Sequence, residues 1–276
     1  MNIIEETADL EEYKMKTRII SGIVMGTIVS VIIALGFLLE STIITVCIAL
    51  LATVAVFELM YNAAKINSKY TLIGAMVFVF WRTMLSLTSD MAIVISVLYF
   101  IYAVIGVLKN HKHFTLGDIS ISCFSPLFLS TAFVFLNYVI IARSNIYYLL
   151  LLLNFSCVCD MGAYFTGVTK GKHKLCPEIS PKKTIEGAVG GIISSIVVTI
   201  VLALCFSKNL LAPMLLTIPL CALGMIGDLF ASAIKRSVDL KDYGDLIPGH
   251  GGILDRFDSI LIIAPAMGVL IALGVL

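Results

Sequence analysis

Long runs of apolar residues recur along this 276-residue chain, and they constrain its fold more than any other feature. Hydrophobic residues make up 59% of the sequence and charged residues only 13%, about half of the roughly 25% that is typical of soluble domains. A helical run of about 20 residues crosses the roughly 30 Å hydrocarbon core of a bilayer. Because backbone polar groups must pair internally in lipid, these runs predict transmembrane helices.

The runs predict an all-α integral membrane protein with about nine transmembrane helices. Only Glu40 separates the first two runs and only Asp90 the third and fourth, so each pair would also fit a re-entrant or tilted hairpin. We expect one membrane domain over residues 1–276, with a tail (1–18), scaffold helices (19–140), and catalytic helices with cytoplasmic loops (146–276). The predicted spans are Ile19–Leu39, Ser41–Tyr61, Thr71–Ser89, Met91–Leu108, Ile119–Ile140, Ile146–Val168, Gly187–Phe206, Leu210–Ser232 and Ile253–Leu276.

The positions of the basic residues predict how the spans are oriented. Cytoplasmic loops of membrane proteins are enriched in lysine and arginine. With a cytoplasmic N-terminus and alternating spans, Arg143 and Lys208 lie outside, Arg82 lies within a span, and all other lysines and arginines are cytoplasmic. We therefore expect a multi-pass plasma-membrane protein with its C-terminus outside. The acidic start of the chain indicates an uncleaved tail, either helical or solvated, because signal peptides begin with basic residues.

Two ionisable residues in the first half of the chain lie within predicted spans. Glu58 is near the cytoplasmic end of its span, where it would brace a neighbouring loop. Arg82 follows Trp81 and would extend its charged group toward an interface. Both residues are predicted to have structural roles.

The most polar stretch of the chain, Ser232–Asp258, mixes basic and acidic side chains amid apolar surroundings. Asp255 and Asp258 are three residues apart at the start of the last span, where a helix N-terminus favours negative charge. With Asp228 in the preceding span, they offer hard oxygen ligands, which suit Mg²⁺. These three aspartates are the candidate metal ligands.

Polar residues recur on one face of two predicted spans. Asp160 and Tyr164 are spaced i, i+4, and Asp228, Ser232 and Lys235 are spaced i, i+4, i+7, so each set shares a helix face. A carboxylate within a span normally faces a bundle interior or a wet cavity. A structural ion pair is the alternative for each aspartate.

Two loops have the composition of phosphate-binding segments. The H-G-G run at His250–Gly252 would let backbone amides approach a phosphate closely, although a plain turn is the alternative. The S-P-K-K-T-I-E-G run at Ser180–Gly187 places Lys182 and Lys183 at the membrane face. These lysines either anchor the chain there or bind phosphate.

Taken together, these residues resemble the signature of the phosphatidate cytidylyltransferase (CDP-diacylglycerol synthase) family. The family's pattern S-x-apolar-K-R-x4-K-D-x-small, followed by x-x-apolar-P-x-H-G-G-apolar-x-D-R-apolar-D, is filled without a gap from Ser232 to Asp258. The blocks D-x-x-A-Y-x-x-G at Asp160–Gly167 and S-P-K-K-T-x-E-G at Ser180–Gly187 are also similar to this family's.

The resemblance implies the reaction CTP + phosphatidate → CDP-diacylglycerol + pyrophosphate at the cytoplasmic face of the membrane. It implies Mg²⁺ as cofactor, with a second cation left open, and CTP, phosphatidate and the lipid bilayer as partners, without nucleic acid. Small residues in the spans would allow a homodimer. An enzyme of the same class that uses CTP on another lipid is the nearest alternative. An ion-coupled transporter is the alternative from another class, because intramembrane Asp160 and Asp228 would fit an ion pathway.

The resemblance also implies roles for individual residues. Asp228 and Asp255 would hold Mg²⁺, with Asp258 in support. The implied catalytic residues are Asp228, Asp255, Lys235 and Arg256. The implied substrate-binding residues are Lys182, Lys183, Thr184, Glu186, Ser232, Arg236, Lys241, His250, Gly251, Gly252, Asp160 and Tyr164.

Overall fold

The computed structural model describes residues 3–85, 90–109, 115–141 and 146–276, without the side chains of residues 3–14 and 18. Most of these residues are helical, and two π-helical segments, Glu58–Ala63 and Asn154–Val158, interrupt the α-helices. The helices are α1 (Ile3–Leu38), α2 (Ser41–Phe57), α3 (Lys69–Met84), α4 (Asp90–Lys109), α5 (Leu116–Ile141), α6 (Ile146–Leu153), α7 (Cys159–Lys170), α8 (Ile185–Cys205), α9 (Leu211–Ser237), α10 (Leu254–Phe257) and α11 (Ile260–Ala272).

Among the described residues, seven helical stretches are long and apolar enough to cross a membrane. Helices α3 and α11, with 16 and 13 residues, are shorter than the roughly 20 residues of a full span. The predicted all-α membrane fold is confirmed, whereas the count of nine spans and the orientation stay predictions. The seven stretches are Met15–Leu38, Ser41–Ala63, Asp90–Lys109, Leu116–Ile141, Ile146–Lys170, Ile185–Cys205 and Leu211–Ser237.

Several helices differ in extent or continuity from the predicted spans. Helix α1 begins at Ile3, so the predicted tail is helical, which is one of its two predicted forms. The predicted sixth span consists of α6, a π-helical segment and α7, and the predicted ninth is divided into α10 and α11. Of the basic residues used for the orientation, Lys112 and Arg143 lie outside the described residues.

A short antiparallel hairpin, β1 (Lys174–Cys176) and β2 (Ser180–Thr184), departs from the predicted all-helical architecture. Lys174 pairs with Thr184 in its register. Thr184 also begins α8 as its N-cap, because its Oγ1 accepts a hydrogen bond from the Gly187 amide at 3.1 Å. The hairpin therefore places the two lysines of β2 directly beside the start of α8.

Helices α7 and α8 pack closely because glycines lie at their interface. A Cβ atom at Gly191 would lie 2.5 Å from the carbonyl oxygen of Cys159, and one at Gly187 would lie 2.7 Å from that of Ala163. Small residues of this kind allow helix backbones in membranes to approach each other. Helix α8 also packs on α9, and α9 packs on α11, so α7, α8 and α9 stand side by side.

Buried polar side chains join the same helices within the membrane. The Asn154 amide Nδ2 donates to the Ser195 carbonyl at 3.0 Å and to Thr199 Oγ1 at 2.9 Å, and Thr199 Oγ1 lies 3.0 Å from Thr217 Oγ1. These contacts link the π-helical segment before α7 to α8 and α9. Interhelical hydrogen bonds in lipid contribute about 0.6–2 kcal/mol each, so this network fixes the register of the three helices.

The C-terminal end of α2 anchors the loop between α9 and α10. Glu58 is 3% exposed, and its carboxylate accepts hydrogen bonds from the amides of Ile253 at 2.9 Å and Leu254 at 2.8 Å. One helical turn away, Asn62 Nδ2 donates to the carbonyl oxygen of Tyr243 at 2.8 Å. The prediction that Glu58 braces a neighbouring loop is confirmed.

Replacing Glu58 should destabilise the protein because Glu58→Ala leaves two buried amides without acceptors. We expect a loss of about 2 kcal/mol or more, seen as a lower melting temperature of the detergent-solubilised protein. Glu178→Ala changes an exposed carboxylate and is the matched control. Equal melting temperatures for the two variants would contradict the anchoring role of Glu58.

Candidate active site

A polar cavity of about 620 Å³ lies between α7, the hairpin, α8 and α9. It brings together six of the residues that the sequence singled out, contributed by three different elements. They are Asp160 and Tyr164 from α7, Lys182, Lys183 and Thr184 from β2, and Asp228 from α9. Lys174 of β1, which the sequence analysis did not select, also lines the cavity. The cavity therefore combines three lysines with two carboxylates.

Asp228 forms an ion pair with Lys183 across this cavity. The Lys183 ammonium contacts Asp228 Oδ2, and each side chain is about one quarter exposed, at 26% and 25%. Ser232 Oγ donates to Asp228 Oδ1 at 3.4 Å, so the predicted i, i+4 pair on α9 does meet. Both side chains line the cavity, although the Lys183 Nζ atom itself is buried against Asp228. A phosphate group could thus replace Asp228 as the partner of the lysine, and a cation could replace Lys183 as the partner of the carboxylate.

Asp255 occupies a very different environment because protein donors already hold both of its oxygens. Lys235 Nζ donates to Oδ1 at 2.7 Å, and the amides of Tyr243 and Gly252 donate to Oδ2 at 2.7 and 3.0 Å. The Asp255 side chain is 2% exposed and that of Lys235 11%. A buried ion pair is tolerated when such additional hydrogen bonds compensate its desolvation. In this arrangement Asp255 holds the loop and Lys235 in place and presents no free oxygen to a metal.

Tyr243 is a site residue that the sequence analysis missed. It is 1% exposed, its ring centroid lies 5.3 Å from Lys235 Nζ, and its hydroxyl donates to the Ala231 carbonyl at 3.0 Å. Burial raises the pKa of the Tyr243 phenol, so the group stays neutral at physiological pH. The signal was available in the sequence: Tyr243 is a single large aromatic residue in a loop with several charged side chains.

The H-G-G turn packs against carboxylates. Its backbone closes on itself through the amide of Ile247, which donates to the Gly251 carbonyl at 2.9 Å. A Cβ atom at Gly252 would lie 2.5 Å from Glu58 Oε2, and Gly251 has a φ of +82°, in the region that favours glycine. The glycines thus make room for Glu58 and Asp255, and the Gly252 amide predicted to cradle phosphate already donates to Asp255.

His250, in the same turn, contacts the first helix. Its Nδ1 lies 2.8 Å from Ser21 Oγ of α1. Its predicted role was substrate binding; the structure places its ring between the turn and α1 and outside the lining of the polar cavity. The contact joins the most N-terminal span to the loop that precedes Asp255.

The remaining predicted binding residues lie apart from the polar cavity. Arg236, Lys241 and Arg256 are exposed, and Arg236 donates to the Leu240 carbonyl at 3.0 Å. Glu186 accepts from the Lys172 amide at 3.0 Å and lies 2.6 Å from Nδ1 of His173, so it fastens the segment that precedes the hairpin. Glu186 thus holds the segment before the hairpin, a role that its position in the motif did not reveal.

Within the described residues, no three His, Cys, Asp or Glu side chains are close enough together to hold a metal ion by themselves. Asp258 nevertheless lies within electrostatic range of Asp228 and Asp160. Mg²⁺ usually takes only one or two protein carboxylates and completes its shell with water and substrate phosphates. Asp228 is one quarter exposed and lines the cavity with Asp160, so it fits such a site better than Asp255, whose side chain is 2% exposed.

Comparisons with known proteins agree with the motifs. The model of the cytidylyltransferase family matches residues 16–273. A phosphatidate cytidylyltransferase of Bacillus subtilis is 34% identical, over 94% of this chain and 98% of its own length. Proteins of the same name from Staphylococcus haemolyticus and Staphylococcus saprophyticus are also 34% identical, over 93% and 90% of this chain and 99% and 97% of theirs. The chain therefore belongs to the cytidylyltransferase family.

Proposed function

We propose that this protein is a nucleotidyltransferase that converts CTP and phosphatidate to CDP-diacylglycerol and pyrophosphate. The observation that carries the proposal is the polar cavity, in which the lysines of the hairpin face the carboxylates of α7 and α9 in a chain built from apolar helices. Relatives that match nearly the whole chain are phosphatidate cytidylyltransferases. The predicted transferase activity in phospholipid synthesis agrees with these relatives.

The chemistry requires positioning and charge neutralisation more than proton transfer. A phosphate monoester is already anionic near pH 7 because its second pKa is about 6, so no strong general base is needed. An oxygen of the phosphatidate phosphate attacks the α-phosphorus of CTP, and the bond from that phosphorus to the β-phosphate bridging oxygen breaks. The electron pair leaves with pyrophosphate. Stabilisation of the charge on the transferring group and the leaving group is the main task in such reactions.

The lysines of the cavity are proposed to hold the two polyanions together. Lys182 and Lys183 on β2 and Lys174 on β1 converge on one space, where their charges reduce the repulsion between triphosphate and phosphatidate. Lys183 balances Asp228 until an anionic substrate enters. Arg236, Lys241 and Arg256 stay candidates for contacts with phosphate. Their exposed positions would also attract anions toward the site.

Asp228 is proposed as the principal ligand for Mg²⁺, with Asp160 and Asp258 nearby. When bound, Mg²⁺ supplies positive charge to the triphosphate and the leaving pyrophosphate. Asp255 was predicted to share this role; we propose that it instead acts through Lys235, whose ammonium it holds at 2.7 Å. A second cation remains an open part of the proposal.

We further propose the orientation that the basic residues predicted, for a single membrane domain of nine spans. The N-terminus would be cytoplasmic, the C-terminus outside, and the polar cavity would face the cytoplasm of the plasma membrane, where CTP is present. The lysines of the hairpin and the basic residues after α9 then share one side of the bilayer, in agreement with the positive-inside rule. A homodimer, which the small residues of the spans would allow, is also part of the proposal.

The proposed activity can be tested on membranes that contain the protein. Labelled CTP and phosphatidate with Mg²⁺ should give labelled CDP-diacylglycerol and pyrophosphate, and a chelator should stop the reaction. Product formed only when another phospholipid or prenyl phosphate replaces phosphatidate would favour the related CTP-dependent enzyme. Ion flux without any CTP turnover would favour the transporter.

Asp228→Asn should abolish Mg²⁺-dependent turnover while the protein still inserts and purifies. We expect activity to fall by about a hundredfold or more, the scale of losing one electrostatic group in an active site. Asp239→Asn is the matched control, because Asp239 is exposed and its φ of +56° is also accessible to asparagine. Full activity in Asp228→Asn, measured at saturating Mg²⁺, would refute the assignment of Asp228.

The variant Asp255→Asn tests whether Asp255 binds the metal or anchors the loop. As an anchor, Asp255 neutralises the buried charge of Lys235, so the variant should lose about 3 kcal/mol of folding stability or more. The readouts are the melting temperature without substrates and the Mg²⁺ concentration that gives half-maximal activity. Asp245→Asn, at an exposed position in the loop that precedes α10, is the control. An unchanged melting temperature together with a higher Mg²⁺ requirement would instead make Asp255 a metal ligand.

A further inference from the structure

We propose that a second, apolar cavity holds one acyl chain of the phosphatidate, an inference that rests on the proposed function. The cavity has a volume of about 380 Å³ and lies between the end of α2, the first turns of α5, the last turns of α9 and the start of α11. On α9 it is lined by Gly227, Ala231 and Ile234, whereas Met225 and Asp228 line the polar cavity. At about 100° per residue, these two sets lie on different faces of α9.

The walls of this cavity suit a hydrocarbon because their hydroxyl groups are already bonded within the chain. Ser120 and Ser125 of α5 donate to the carbonyls of Leu116 and Ile121 at 2.9 and 2.7 Å. The hydroxyls of Ser237 and Tyr243 donate likewise, to Ile234 at 2.8 Å and Ala231 at 3.0 Å. The hydroxyl groups are therefore already satisfied, so a polar ligand would find few hydrogen-bond partners in the cavity wall.

The apolar cavity lies next to the proposed active site, because the neighbouring residues Gly227 and Asp228 of α9 line one cavity each. Among the described lining residues, Asp258 alone is charged, and it lies within electrostatic range of Asp228, Asp160 and Lys235. Gly227 lines the apolar cavity beside Asp228, and a Cβ atom there would lie 2.8 Å from the Asp258 carbonyl oxygen. The charged groups thus lie at one edge of an apolar space, an arrangement that matches a lipid with an anionic headgroup.

The position of the cavity along the helices fits the same occupant. It is lined by the first turns of α5 and the last turns of α9, which end on the cytoplasmic side in the proposed orientation. Phe124 and Phe230 at its rim are 62% and 48% exposed and would contact lipid. An acyl chain could therefore enter sideways from the inner leaflet while its phosphate reaches the lysines.

A bulk membrane lipid is the competing occupant of this space. Lipid tails are as apolar as the cavity wall, so burial alone does not favour substrate over any other lipid. The preference for phosphatidate comes from the adjoining charges, and the cavity contributes by fixing where the headgroup lies. Narrowing the cavity should therefore affect the use of long-chain substrate most.

The test compares dioleoyl and dioctanoyl phosphatidate in detergent micelles. Ala64→Phe after α2 and Ser120→Phe on α5 each fill the space from a different side. We expect the ratio of KM for the dioleoyl to the dioctanoyl substrate to rise about tenfold, equivalent to about 1.4 kcal/mol of steric exclusion. Phe124→Ala, which widens the rim, should lower the ratio. Ala272→Phe, an exposed alanine outside the lining, should leave the ratio unchanged.

Each outcome decides one of the two proposals. An unchanged KM ratio in variants that elute as folded protein on gel filtration would overturn the acyl-chain assignment and make bulk lipid the occupant. If one filling variant does not fold, the other and Phe124→Ala still give the ratio. A wild-type protein that converts neither phosphatidate would contradict the proposed function itself.

Discussion

The arrangement of the active-site loop depends on one buried carboxylate, Asp255. Its two oxygens collect the ammonium of Lys235 from α9 and the amides of Tyr243 and Gly252 from the loop. Glu58 does the same for the following two residues from the end of α2. The loop also buries Tyr243 and Ile253 in the hydrophobic core, so charge-assisted hydrogen bonds and apolar burial together give its order.

The sequence predicted the membrane class, the polar half of the chain and the bracing role of Glu58, because apolar runs and isolated charges in them have few physical solutions. It did not predict that the carboxylates have different roles. Asp228, four residues before the signature, and Asp255, within it, carry the same chemical group. One faces a cavity and the other is enclosed by three donors, a difference that arises only from contacts with distant segments.

The hairpin and the apolar cavity were not predicted from the sequence for a related reason. The strands are three and five residues long and contain a proline, so no alternation identifies them. The cavity is built mainly from small and apolar residues of the π-helical segment after α2 and of α5, α9 and α11. Each of them looks like any other lipid-facing residue, and only the packing of the helices leaves a space between them.

The glycine contacts between α7 and α8 determine which part of the enzyme can move. Backbone already meets backbone there, with Gly191 against Cys159 and Gly187 against Ala163, so neither helix can rock toward the other. Asp160 therefore sits on a rigid wall. Thr184 belongs both to β2 and to the cap of α8, so the same backbone contacts also fix where Lys182 and Lys183 stand relative to Asp160.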